Sequence, residues 1–244
     1  MPQGKFCIDL HLHLGRSRRD GASLTLIEIR QAMKKYEINQ AVLFGIDEAN
    51  PGPTYEKTND RVLKTVSGER RLIGFMRLNP KAGFKAIKEL WRCERAGLRG
   101  VKLHPRSENF SPAQAEDLIA EIEKKKLPVI LHTSHERNCR PLEWERIFKR
   151  CKKIPFVLAH GGKDAYPEAI AVARRHSNVW VETSTLSYAR TGMILKALGA
   201  GRVVFGSDLP YSHPAVERLK LDLLLSVSGR KKVYFENPKR ILGE

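Results

Sequence analysis

The chain has 244 residues, of which 41% are hydrophobic and 29% charged, in keeping with a soluble globular protein built as one domain over residues 1–244. No apolar run approaches the ~20 residues of a membrane span. Forty-four Lys and Arg against 27 Asp and Glu leave a net charge of +17. Such an excess serves either nucleic acid or solvated basic faces. Runs such as Glu123-Lys124-Lys125-Lys126 and Lys149-Arg150-Cys151-Lys152-Lys153 fall where helices should end. Cations there favour the helix dipole, so the solvated reading is preferred. The opening MPQGKFCIDL lacks the charged start, apolar stretch and small-residue cleavage site of a signal peptide. A cytoplasmic protein is expected. Cys7, Cys93, Cys139 and Cys151 show no CxxC spacing and are read as free thiols.

Taken in chain order, short apolar strands alternate with amphipathic helices. A strand over Lys5–His13 leads to a helix over Leu24–Tyr36, and a second strand follows over Gln40–Ile46. The third strand, Arg71–Asn79, precedes a helix over Lys81–Ala96. The fourth, Leu98–His104, precedes Pro112–Lys126, and the fifth, Leu127–His132, precedes Pro141–Lys152. The sixth, Ile154–His160, precedes Pro167–His176. Asn178–Thr183 and Arg202–Ser207 complete the strands, and Pro214–Val227 and Asn237–Leu242 are the last helical stretches. Such alternation implies βαβ units and a parallel sheet. Eight units of about 30 residues fill the chain, so the predicted fold is α/β, a single (β/α)8 TIM barrel. An open doubly wound sheet would have fewer strands and a Gly-rich first turn. Here the first strand ends in His11-Leu12-His13.

That first strand reads Phe6-Cys7-Ile8-Asp9-Leu10-His11-Leu12-His13-Leu14. Successive side chains of a strand point to opposite faces. Phe6, Ile8, Leu10, Leu12 and Leu14 are therefore expected against the helices, with Cys7, Asp9, His11 and His13 facing the barrel axis. Two histidines two residues apart can converge on one metal ion, or they can be hydrogen-bonded core histidines. The other histidines favour the first reading. His104, His132 and His160 end strands, and His135 and His213 follow in strand-to-helix loops. Only His176 belongs to the opposite rim, so seven of eight histidines gather at the face where such barrels place their active sites. Asp208 ends the apolar run Val203-Val204-Phe205-Gly206-Ser207. A buried carboxylate is costly there unless a metal or an imidazolium partners it.

These residues carry a family resemblance. Asp9-Leu10-His11-Leu12-His13, Gly100-Val101-Lys102-Leu103-His104-Pro105, His132, Ala159-His160-Gly161-Gly162 and Gly206-Ser207-Asp208-Leu209-Pro210 resemble the amidohydrolase superfamily over essentially the full length. The branch that includes aminocarboxymuconate-semialdehyde decarboxylase is the most similar, down to the ending Glu236-Asn237-Pro238-Lys239-Arg240-Ile241-Leu242. The resemblance implies a divalent metal, zinc by preference, held by His11, His13, His132 and Asp208. Asp208 would also act as base, and His160 as a proton donor, a water activator or a second ligand. In binuclear members a carboxylated lysine of the fourth strand bridges two metals, and Lys102 stands in a similar place. The decarboxylase-like branch implies one ion, with Lys102 paired to a barrel carboxylate or reaching a substrate acid. His104 is either structural or substrate-facing.

Arg16, Arg18 and Arg19 follow the His-x-His pair, Arg77 ends the third strand, and Arg106 follows the fourth. As a group they point to an acidic substrate, since the guanidinium fork suits carboxylates. Tyr211 and His213 follow Asp208 and are candidates to line the pocket. Trp91, Trp144 and Trp180 read as packing residues. The expected activity is hydrolysis of a C–N or C–O bond in a small acidic molecule through a metal-activated water. Non-oxidative decarboxylation at the same site is the alternative. A TatD-like metal-dependent nuclease ranks below both, because that group carries a metal-binding glutamate on the fourth strand. A non-catalytic binding barrel ranks last. Small-molecule substrates are the expected partners, with no membrane, at most non-specific contact with nucleic acid, and room for a homo-oligomer.

Overall fold

The computed structural model describes residues 6–244, so Lys5, expected to open the first strand, lies outside the described residues. The strands are β1 (Ile8–Arg16), β2 (Ser23–Leu24), β3 (Gln40–Gly45), β4 (Leu72–Gly74), β5 (Met76–Arg77), β6 (Val101–Leu103), β7 (Val129–His132), β8 (Phe156–Ala159), β9 (Val179–Glu182) and β10 (Val203–Val204). β2 is a short antiparallel addition to the end of β1. β4 and β5 are two halves of one strand interrupted at Phe75. β4 pairs with β3 and β5 with β6. Phe75 N donates to Leu43 O at 2.8 Å on one side, and Met76 N donates to Gly100 O at 2.9 Å on the other. The eight parallel staves therefore run β1, β3, β4–β5, β6, β7, β8, β9, β10. Leu10 N donates to Phe205 O at 3.1 Å, Asp208 N to His11 O at 2.8 Å and His13 N to Leu209 O at 2.9 Å. These bonds join the last stave to the first, and the ring is the TIM barrel expected.

The helices are α1 (Leu26–Lys35), α2 (Glu56–Ser67), α3 (Phe84–Arg95), α4 (Pro105–Glu108), α5 (Pro112–Lys124), α6 (Glu145–Arg150), α7 (Tyr166–Arg175), α8 (Tyr188–Leu198), α9 (Pro214–Leu224), α10 (Val227–Lys231) and α11 (Asn237–Leu242). Their starts are written locally. Thr25 and Glu28 form a reciprocal cap at α1, and Ser111 and Gln114 do the same at α5. No helix is long and apolar enough to cross a membrane among the described residues. Apolar side chains pack in two shells. One lies between staves and helices and includes Leu43, Val101, Leu103 and Leu158. The other fills the barrel and includes Val42, Phe44, Ile130 and Val157. All four cysteines are buried free thiols.

β1 departs from the expected face pattern. Cys7 belongs to the outer shell, whereas Ile8 and Leu10 fill the barrel. From Leu12 onward the expectation is met, with Leu12 and Leu14 outside. The reason is a bulge. Asp9 pairs with Ala41 but Leu12 pairs with Leu43, so β1 spends one more residue than β3 over this stretch. An extra residue inverts the alternation. Strict alternation gave the right direction for His11 and His13 and the wrong one for Cys7, Ile8 and Leu10.

Candidate active site

The bulge delivers both β1 histidines to one spot at the carboxyl ends of the staves. His11 Nε2 and His13 Nε2 are 3.2 Å apart. Asp208 Oδ1, carried by the turn after β10, lies 3.0 Å from His13 Nε2 and 3.2 Å from His11 Nε2. Asp208 holds φ at +54° and His160 at +64°. Side-chain-bearing residues seldom adopt that region, and such outliers gather at functional sites. Gly206 makes room for the arrangement. A Cβ there would stand 2.7 Å from His11 Cβ and 2.8 Å from Glu182 Cδ. Asp9 fixes the joint between the end staves, its Oδ1 accepting from His11 N at 3.0 Å and Ser207 N at 2.9 Å. Burial pushes its carboxyl up to about 7.

Around this centre stand groups of both signs. Glu182 ends β9, and its Oε2 accepts from His11 Nδ1 at 3.0 Å, His160 N at 3.2 Å and Ser184 Oγ at 2.9 Å, while Ser184 N donates to Oε1. Burial pushes the Glu182 carboxyl up to about 8, and the donors around it pull the other way by favouring the anion. Lys102 is fully buried, with Nζ 3.3 Å from His11 Nε2 and 4.7 Å from the Phe44 ring centroid, and burial lowers it to about 7. His160 Nδ1 is 3.0 Å from Ser184 Oγ and 3.9 Å from Asp208 Oδ2. Burial lowers its imidazole to about 3, so it is neutral at pH 7. His132 stacks on His104 with ring centroids 3.8 Å apart. It stands outside the compact His11–His13–Asp208 group. His104 Nδ1 also caps α4 through Ser107 N.

The centre opens into a cavity of about 350 Å³, lined by His13, His132, His160, Asp208, Lys102 and His104 among others. Tyr211 is on its wall, edge-on to His13 at 5.4 Å. Of the arginines expected to meet substrate, Arg77 is buried and committed to Glu108, with Nη2 2.7 Å and Nε 2.8 Å from Oε1. Arg19 and Arg106 line the cavity, but Arg19 pairs with Asp47 at 2.8 Å and Arg106 with Glu136 at 3.2 Å. Arg18 also turns to Asp47, at 3.3 Å. Arg16 is exposed and is not part of the cavity wall. His213 caps α9 and meets Tyr36 Oη at 3.0 Å, and His135 is exposed beside Asp164. Neither lines the cavity.

Sequence reading passed over Glu182, Asp47, Glu108 and Lys163. Glu182 carries a legible signal, an acid closing the apolar run Val179-Trp180-Val181, as Asp208 closes its own. The donor set fits a divalent metal. Two imidazole nitrogens and a carboxylate oxygen converge within 3.0–3.2 Å, a mixture suited to zinc or another borderline ion. His11 has the carboxylate behind its Nδ1 that metal-ligating histidines commonly have. His132 Nε2 is buried without a hydrogen-bond partner among the described residues.

Solved structures of other proteins share this fold. A TIM-barrel protein from Bordetella bronchiseptica superposes with a TM-score of 0.79 at 18% identity, covering 98% of this chain and 99% of that one. A putative 2-pyrone-4,6-dicarboxylic acid hydrolase from Pseudomonas putida gives 0.74 at 19% identity, over 98% and 97%. A dihydroxybenzoic acid decarboxylase from a Polaromonas species, solved with manganese and the inhibitor 2-nitroresorcinol, gives 0.74 at 16%, also over 98% and 97%. No curated protein matches the sequence. The amidohydrolase sequence profile matches residues 8–243, spanning every stave of the barrel and every donor at its mouth, and the chain belongs to the amidohydrolase family.

Proposed function

We propose that the chain is a metal-dependent hydrolase that cleaves a C–N or C–O bond of a small acidic molecule. The observation that carries this reading is the meeting of His11 Nε2, His13 Nε2 and Asp208 Oδ1 at the mouth of the barrel. One zinc ion would be held by these three residues with His132 beside them. Such an ion supplies Lewis acidity toward a water or a substrate oxygen. Burial opposes ionisation of Asp208, yet neighbouring His160 and His13 hold its carboxyl below the ordinary value. Asp208 is thus an anion at pH 7 and can take a proton. His160 has Nδ1 engaged by the hydroxyls of Ser184 and Thr185, at 3.0 and 3.4 Å. That leaves Nε2 to exchange a proton with substrate.

A single ion is the proposed stoichiometry. The second cluster, His11–His160–Glu182, has its carboxylate already taken up by donors from His11, His160 and Ser184. Lys102 then keeps a free amine. Non-oxidative decarboxylation is a second reading, supported by the likeness to the Polaromonas decarboxylase over nearly the whole of both chains. The carbon left behind would then take a proton relayed from solvent through His160 Nε2.

Elemental analysis of the purified protein tests the proposal. About one equivalent of a divalent metal is expected, as in other sites of three or four protein ligands. His11→Ala and His13→Ala should each lose it while circular dichroism reports an intact barrel. Unchanged metal in both variants would sink the assignment. Screening the loaded protein against esters, lactones, amides and aromatic acids, with carbon dioxide release followed in parallel, separates hydrolysis from decarboxylation.

A further inference from the structure

Five cationic side chains stand on the cavity wall: Arg19, Arg77, Lys102, Arg106 and Lys163. The three arginines face acids of the protein itself, Asp47, Glu108 and Glu136. Lys102 lies against His11. Lys163 is half-buried, and its neighbour in the chain, Asp164, turns away to Arg190 at 2.5 Å and His135 at 3.3 Å. Lys102 and Lys163 are thus the two wall cations without an acid in salt-bridge contact among the described residues, and of these Lys102 is fully buried against His11 while Lys163 is the one solvent and ligand can reach.

Its backbone carries a second signal. Four consecutive residues have positive φ: His160 at 64°, Gly161 at 49°, Gly162 at 80° and Lys163 at 50°. With ψ at −118°, Lys163 occupies a region that glycine enters freely and other residues avoid. The loop is pinned in this shape. Gly162 N donates to Thr133 Oγ1 at 2.9 Å, and a Cβ on Gly161 would stand 3.0 Å from Ile194 and Leu186. Glycine would suit position 163 better on conformational grounds alone. A lysine there is unfavourable locally, and what it provides is a positive charge on the cavity wall.

Building on the acidic-substrate reading above, we propose that Lys163 binds the anionic group of the substrate and selects carboxylate-bearing small molecules over their uncharged counterparts. The probes are benzoate and succinate, with benzamide and succinamide as uncharged counterparts, titrated into the purified protein by calorimetry or ligand-observed NMR. The wild type should favour each acid over its amide. Lys163→Met should weaken the acids about tenfold or more, the scale of one lost charge-assisted hydrogen bond, and leave the amides unchanged. Lys163→Arg, which keeps the charge, should restore most of the preference. A wild type indifferent to acid or amide, or a Lys163→Met protein that binds the acids as the wild type does, would overturn the assignment. So would equal weakening of acids and amides, which marks a change of shape and not of charge. Metal content of the same preparations scores the metal reading separately. Acid selectivity that depends on Lys163 in a preparation without metal would keep the anion site and remove the metal centre. Unaltered acid binding by metal-loaded Lys163→Met would do the reverse.

Discussion

Glu182 joins the two halves of the site, because one carboxylate meets the His11 ring and the His160 backbone together. It fixes His11 with Nδ1 protonated and Nε2 turned to Asp208. Glu182→Gln keeps the shape but replaces the carboxylate behind the His11 ring with an amide. Chelator competition should show metal affinity lowered by about 10–100-fold, the usual range for such supporting carboxylates. Affinity equal to wild type would leave Glu182 a packing residue. The residue scale also shows what sequence can convey. Asp208 was legible because an acid closing an apolar strand needs a partner. Glu182 obeys the same rule, and applying the rule to every strand end would have found it. Glu108 and Asp47 are different. Their value lies in facing Arg77 and Arg19, and that meeting depends on how a four-residue helix and a loop lie over the barrel mouth. No spacing in the chain encodes it.

Among elements, all eight staves were legible from runs of apolar residues, but their ends and one set of faces were not. Beyond β1, the expected strands are longer than the observed ones, as at Arg202–Ser207 against Val203–Val204, since apolar character continues past the last regular ladder pair. The bulge in β1 inserts one residue whose only trace is a register shift against β3, which alternation within β1 alone cannot reveal. α2 escaped the apolar pattern because little of it is buried beyond Thr58, Asn59 and Val62, two of them polar. Asn59 earns its burial by bonding Arg77 N and O at 2.8 and 3.1 Å. The short α4 is docked on β5 through Arg77 and Glu108, with Tyr55 Oη donating to the same Oε1 at 2.7 Å. Removing one partner strands a buried charge. Glu108→Ala should therefore lower unfolding free energy by about 3–5 kcal/mol, measured by urea denaturation. A loss below about 1 kcal/mol, the range of an exposed pair, would show that Arg77 is free to serve a substrate.

For the molecule as a whole, the net charge of +17 raises the question of nucleic acid. Many of the basic side chains are paired on the outer helices, as Arg150 with Glu116 and Arg175 with Glu145. Weak binding of single-stranded DNA is expected at low salt. It should fall steeply as salt rises, because each phosphate contact releases counterions, and it should bring no metal-dependent cleavage. Efficient cleavage abolished by Asp208→Ala would favour a nuclease instead. Ring closure has a consequence in time. The site draws His11 and His13 from the first stave and Asp208 from the last, so 195 residues separate His13 from its carboxylate neighbour. On a growing chain the two histidines are synthesised long before the acid that completes them. Every intermediate that lacks the final stave holds an incomplete donor set. In refolding, tight metal capture should accordingly wait for the longest-range strand pairing of the barrel, a slow kind of contact to form. The moment of metal capture would then mark the moment of barrel closure.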